Sequence, residues 1–175
     1  MQDIGPYSLI PPMPDPAPSF PIDGRQSERA LAIARGTLRL LASHGYVGIP
    51  EFTLAHGRRA DILALGPRGE IWLIEIKSSV QDFRTDEKWE EYLAFCDRFS
   101  FAVGPDFPQG LIPEEVGLIV ADKYGAAIVR EAEAVPLAGA RRKAITAEFA
   151  RVAARRLHAL FDPEAAALGR APDEA

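Results

Sequence analysis

Residues 58–79 read Arg58-Arg59-Ala60-Asp61-Ile62-Leu63-Ala64-Leu65-Gly66-Pro67-Arg68-Gly69-Glu70-Ile71-Trp72-Leu73-Ile74-Glu75-Ile76-Lys77-Ser78-Ser79. Two apolar runs flank Pro67-Arg68-Gly69, the composition of a tight hairpin turn. Ile71 to Lys77 reads as a strand, bounded by Gly69 and by the Ser78-Ser79 pair. Side chains on a strand alternate faces, so Ile71, Leu73, Glu75 and Lys77 share one face and Trp72, Ile74 and Ile76 the other. Both faces are apolar, which predicts a central strand covered on both sides. Asp61, Glu75 and Lys77 are the exceptions, since a buried charge is costly unless it is paired, hydrogen-bonded or bound to a metal.

The turn sets the register. With Pro67 at the first central position of a type I turn and Gly69 in the left-handed position, Gly66 pairs with Glu70. Counting back, Leu63 opposes Leu73 and Asp61 opposes Glu75 on one face, whereas a loop one residue longer would separate them. Like charges directly opposed destabilise a sheet. A divalent cation turns that repulsion into a site, and Mg²⁺ takes one or two carboxylates together with waters and phosphate oxygens. Lys77, further along the face, is placed to orient a water or to neutralise charge developing on a phosphate.

Asp61, thirteen intervening residues and then Glu75-Ile76-Lys77 resemble the core of the PD-(D/E)XK nuclease superfamily, with Ala60 in place of its proline. The wider stretch is more particular. Gly57 to Ile62, Ile74 to Ser79, Asp82-Phe83 and Asp86 to Tyr92 resemble the MmcB-like DNA repair family, over roughly residues 25–160. The resemblance implies an α/β fold with an αβββαβ core and a mixed sheet, extended by a C-terminal β-hairpin and helix. It implies metal-dependent cleavage of DNA in repair, with Asp61, Glu75 and the Ile76 carbonyl holding Mg²⁺ or Mn²⁺ and Lys77 completing the catalytic set. Arg58, Arg59, Ser78, Lys88 and Tyr92 are then the candidates for nucleic-acid contact. DNA is the implied partner, with other repair proteins and a second copy of the chain as further ones. Two other readings stay open: a catalytically silent nucleic-acid-binding module, and an unrelated α/β protein with a buried ion pair.

Around the hairpin, residues 1–24 hold seven prolines and read as an extended or disordered arm. Residues 25–161 form one domain, and 162–175 a tail. A first helix is predicted over 24–44, with Asp23 and Gln26 as a capping box, Ser27 as a second cap, and Gly45 ending it. Glu28 on that helix either reaches the metal site, as in some members of the superfamily, or is an exposed first-turn acid. Residues 47–54 predict a strand that Pro50 confines to an edge. Glu51 there is either a third acid at the site or a surface residue. His56 reads as a turn residue, with no second histidine at ligand spacing. A helix is predicted from about residue 85 to 97, with Asp86 and Glu87 at its start. Trp89, Leu93 and Cys96 face inward, and Lys88 and Tyr92 are neighbours one turn apart. Tyr92 is either half-buried core or a contact for DNA. Strands follow at 99–103, 116–121 and 126–131, the first by a right-handed parallel crossover. A closing helix over 137–160 carries an inward stripe of Ile145, Phe149, Val152, Ala153, Leu157 and Leu160. Six basic residues on it face one acid, either a phosphate-binding surface or a solvated face.

The 175 residues suffice for one domain with a full core, at an ordinary 47% hydrophobic content. The lone Cys96 excludes a disulfide framework and predicts a reducing, cytoplasmic setting, nucleoid-associated if the chain acts on DNA. No stretch has membrane-spanning length, and no secretory signal opens the chain. The net charge of −5 argues against a general nucleic-acid coat protein but leaves room for a local site built of carboxylates.

Overall fold

The computed structural model of the chain describes residues 27–85 and 88–164. The Pro-rich arm, the Asp23–Gln26 capping box, Asp86 and Glu87, and the tail beyond residue 164 lie outside the described residues. The element order is α1 (Glu28–Ser43), β1 (Val47–Thr53), β2 (Arg59–Leu65), β3 (Ile71–Lys77), α2 (Val80–Thr85), a 3₁₀ helix (Trp89–Phe95), β4 (Arg98–Val103), a 3₁₀ turn (Gln109–Leu111), β5 (Gly117–Ala121), β6 (Ala126–Arg130) and α3 (Gly139–Phe161). The six strands form one sheet in chain order. β1–β2, β2–β3 and β5–β6 are antiparallel, and β3–β4 and β4–β5 are parallel. This is the mixed α/β architecture expected, with β1 as the edge strand that Pro50 requires.

The hairpin register is also as expected. Gly69 takes a left-handed φ of 82°, the Gly66 N–H donates to the Glu70 carbonyl at 2.8 Å, and Leu63 pairs with Leu73. β3 is buried on both faces. Trp72, Ile74 and Ile76 pack with Ile33, Ala34 and Leu41 of α1. Leu73 packs on the opposite side with Phe99, Phe101, Tyr92 and Phe149. Helix α1 begins later than predicted, because extended Ser27 is the cap, its hydroxyl accepting the Ala30 N–H. At Gly36 the helix comes so close to the β5–β6 turn that a Cβ would lie 2.1 Å from the Asp122 carbonyl oxygen. Arg39 secures the contact by donating to the Lys123 and Tyr124 carbonyls.

Two helix predictions need correction. The helix expected over 85–97 is a short α2 before it and a 3₁₀ helix at Trp89–Phe95. Side chains three apart eclipse in a 3₁₀ helix, so Trp89, Tyr92 and Phe95 turn inward and Leu93 is left exposed. Lys88 precedes the helix with φ −126° and is not one α-turn from Tyr92. In α3 the inward stripe runs from Ile145 to Ala153, while Leu157 and Leu160 are exposed because the helix has passed the edge of the sheet.

Asp97, which the sequence does not single out, ties these layers together. Its carboxylate accepts the N–H groups of Ile71 (2.7 Å) and Leu137 (2.8 Å) and both terminal nitrogens of Arg142 (2.6 Å each). β3, β4 and α3 therefore meet on one buried side chain. Burial alone would raise its pKa, but Arg142 and the two N–H groups reverse that and hold it below the ordinary carboxylate range. Asp97→Asn is expected to lower stability by about 3 kcal/mol at neutral pH, the low end for a broken buried pair because Arg142 keeps part of its guanidinium in water. A carboxylate with a depressed folded pKa stabilises above its unfolded value, roughly 4, and loses that contribution as pH falls through the folded one. Urea titrations should therefore show the gap between wild type and variant narrowing below about pH 4; a constant gap would refute this role.

Candidate active site

The site arises where β2 and β3 part. β2 stays paired with β1 down to Thr53–Arg59, but its ladder with β3 ends at Ile62–Ile74. Beyond that rung the Asp61 side chain takes the place of backbone, its carboxylate accepting the Ile76 N–H at 2.7 Å. The predicted opposition of Asp61 and Glu75 is thus a meeting of side chains at the mouth of a splayed pair. Ile76 offers its C=O on the same side of the strand as its N–H, toward Asp61.

Asp61, Glu75, Ile76, Lys77, Ser78 and Asp82 line a cavity of about 330 Å³, closed on one side by Ser27 and Ala30 of α1. Lys77 is 3% exposed. Its ammonium lies 3.4 Å from Glu75 Oε1 and 5.9 Å from the centre of the Phe101 ring, a cation–π contact. Burial pushes the Asp61 pKa up to about 6; the Ile76 N–H and Lys77 oppose the rise, and Glu51 and Asp82 add to it.

The other predicted residues are spread around this centre. Glu51 sits inward, its side chain 9% exposed and ion-paired with Arg59. Glu28 is exposed on the first turn of α1 and does not line the cavity. Ser78 donates its N–H and hydroxyl to Asp82. Arg58 pairs with Glu91 at 3.1 Å, donates to the Lys88 carbonyl and lies over the Tyr92 ring. Tyr92 is buried, stacked on Phe99, with its hydroxyl on the Arg59 carbonyl. Lys88 is exposed, and the Arg59 side chain is 46% exposed. His56 stacks on Phe95, in keeping with a turn residue.

Asp82 is the lining residue that sequence reasoning passed over. Its signal was present: Ser79 accepts the Asp82 N–H while Asp82 reaches back to Ser78, a capping box displaced by one residue. Among the described residues no three His, Cys, Asp or Glu side chains gather closely enough to hold a metal by themselves. The donor set suits a hard cation nonetheless. Mg²⁺ takes one or two carboxylates and fills its remaining positions with waters and phosphate oxygens, and a buried carboxyl pushed up toward 6 is one whose ionised form a cation would stabilise.

The six-stranded mixed sheet with its flanking helices defines an α/β fold consistent with a nuclease-like core. The chain matches the family described as DNA repair protein MmcB-like over residues 17–164, and it belongs to that family. It is also similar to the solved structure of a protein of unknown function from Silicibacter pomeroyi. That likeness has 49% identity and a TM-score of 0.78, covering 85% of this chain and 99% of the other. No curated protein matches it. No helix among the described residues is long and apolar enough to cross a membrane.

Removing the Asp82 carboxylate tests the local build. Asp82→Ala takes the acceptor from both Ser78 donors and should cost about 1–2 kcal/mol of stability in urea. A change below roughly 0.5 kcal/mol, the range of neutral surface substitutions, would show that the cap does not hold the end of β3.

Proposed function

We propose that this chain is a DNA repair enzyme that hydrolyses DNA phosphodiester bonds at the Asp61–Glu75–Lys77 cavity with Mg²⁺ or Mn²⁺. The observation that carries the reading is the convergence of these three side chains at the one rung where β2 releases β3. Membership of a family described as DNA repair proteins supports DNA as the substrate. Asp61, Glu75 and the Ile76 carbonyl would hold the ion. When bound, it supplies Lewis acidity toward a phosphate oxygen and lowers the pKa of a coordinated water.

The chain's own residues do the rest. Lys77 is fixed by Glu75 and the Phe101 ring, so its ammonium is preorganised to orient a water or to meet charge building on the phosphate. Asp82 holds Ser78 at the rim of the cavity. Arg59 and Lys88, exposed to solvent, would meet the DNA backbone. Tyr92 acts at one remove, by seating Arg59 through its carbonyl. One observation favours a second reading, a nucleic-acid-binding module without cleavage: the Asp61 carboxylate already accepts the Ile76 N–H.

Labelled single-stranded, duplex, flapped, forked, abasic and mismatched DNAs, incubated with Mg²⁺ or Mn²⁺, separate the two. Wild type should cut at least one of them. Asp61→Ala and Lys77→Ala should each lose about 10²-fold or more, the scale of a lost electrostatic or metal-holding group. No cleavage by any protein, or equal cleavage by all three, would overturn the enzyme reading. Selective DNA binding by the same samples would then establish the binding module.

A further inference from the structure

Glu51 is the only non-glycine among the described residues with a left-handed backbone, φ 53°. It lies within edge strand β1, where that conformation is unfavourable for a residue with a Cβ. The register makes the position specific. β1 and β2 pair with an unbroken count from Val47–Leu65 to Thr53–Arg59, which sets Glu51 opposite Asp61.

Side-chain alternation nevertheless changes phase on both strands at that rung. Ile49 and Phe52 fall in the same core cluster although they are three residues apart, and so do Leu63 and Ala60. Ile62 and Ala64 belong to the cluster on the other face of the sheet. Regular strands would place residues 60, 62 and 64 together. The two strands therefore turn together at Glu51 and Asp61, and this is where β2 leaves β3. Regular alternation would put Arg59 and Asp61 on one face, and that alternation ends at the same crook.

Helix α3 holds it. Arg156 donates to the Pro50 carbonyl at 2.6 Å and to the Glu51 carbonyl at 3.0 Å. It is the α3 side chain that reaches the backbone on either side of the strained torsion.

We propose that the left-handed crook at Glu51, clamped by Arg156, is the device that turns the Asp61 side chain into the gap between β2 and β3 and onto the Ile76 N–H. Arg156 and Glu51 are positioning residues, and Glu51 acts through its backbone conformation. The inference rests on Asp61 being the acid of the proposed site. It makes Arg156 of α3, 95 residues beyond Asp61 in sequence, part of that site's support.

Hydrogen exchange at the Ile76 amide reports the Asp61 contact without any metal, substrate or cleavage. Arg156→Ala should speed exchange at Ile76 by about tenfold or more while the Ile119 amide, in β5, keeps wild-type protection. Arg156→Lys, which can still donate to a carbonyl, should recover part of it. Glu51→Gly and Glu51→Val remove the same carboxylate but differ in backbone preference, since glycine accepts a left-handed φ and a β-branched residue resists it. Glu51→Gly should keep Ile76 protected, with a melting temperature equal to or above wild type, and Glu51→Val should lose the protection. Equal behaviour of the two Glu51 variants, or an unchanged Ile76 in a folded Arg156→Ala protein, would overturn the proposal. Calorimetric titration of each folded variant with Mn²⁺ separates this from the functional reading. If wild type binds no Mn²⁺, the metal-dependent reading fails while the exchange result still stands.

Discussion

One hydrogen bond, from the Ile76 N–H to the Asp61 carboxylate, sits where the ladder between β2 and β3 stops. Without an acceptor there, the parting of two central strands would leave a buried amide unsatisfied, at a cost of about 1–3 kcal/mol. Asp61 lets the strands separate and fills the gap with a carboxylate. The cavity, the nearness of Glu75 and the placement of Lys77 all follow from that substitution of side chain for backbone. Of the short side chains that can accept a backbone N–H, only an acid also brings charge.

The surrounding fold is stiff where it supports this opening. β3 is held on one face by α1 and on the other by the aromatic group of Phe99, Phe101, Trp89 and Phe83. Phe101 serves twice, packing in that group and facing the Lys77 ammonium. Asp97 fixes the other end of β3 to β4 and α3 through four short hydrogen bonds. The strand carrying Glu75 and Lys77 is thus anchored along its length, and the freedom to part belongs to β2, which stays with the edge strand.

The hairpin was legible because turn chemistry and period-two alternation are local. Pro67 and Gly69 determine the loop, the loop determines the register, and the register places Asp61 beside Glu75. The antiparallel run of β1, β2 and β3 and the parallel entry of β4 were legible from the apolar runs and the crossover rule. Three features were not, each for a physical reason. The helix expected over 85–97 fails because Trp89, Tyr92 and Phe95 turn inward at a spacing of three, which leaves Leu93 exposed while Cys96 is buried as expected, and packing of Trp89 and Tyr92 against Phe99 reveals which spacing wins. Asp97 gives no local signal, since its partners at Leu137 and Arg142 are far along the chain. The crook at Glu51 is hidden because nothing in Val47 to Thr53 asks for a left-handed residue, and the Arg156 side chain that bonds the Pro50 and Glu51 carbonyls comes from α3, far along the chain.

Two aspartates in this molecule, Asp97 buried and Asp61 half-buried, show how a structural acid differs from a candidate functional one. Asp97 receives two backbone N–H groups and a bidentate guanidinium, so its ionised form is satisfied and its pKa falls despite burial. Asp61 has one backbone donor and a lysine shared with Glu75, with Glu51 and Asp82 nearby, and its pKa rises to about 6. The residue type is the same; what differs is the balance of donors against neighbouring acids. Selection for stability alone favours the first arrangement and penalises the second, because a pair of well-packed apolar residues would serve the fold as well or better than an incompletely compensated charge. A carboxyl kept short of compensation, in a cavity with a fixed ammonium, is the kind of group that a proton or a cation completes. Asp97 accounts for how the layers stay together, whereas Asp61 fills the gap between the parted strands through one hydrogen bond that an asparagine could also accept, and adds a charge set between Lys77 on one side and Glu51 and Asp82 on the other. That surplus of charge is what makes its cavity, among those in this fold, the place to look for chemistry.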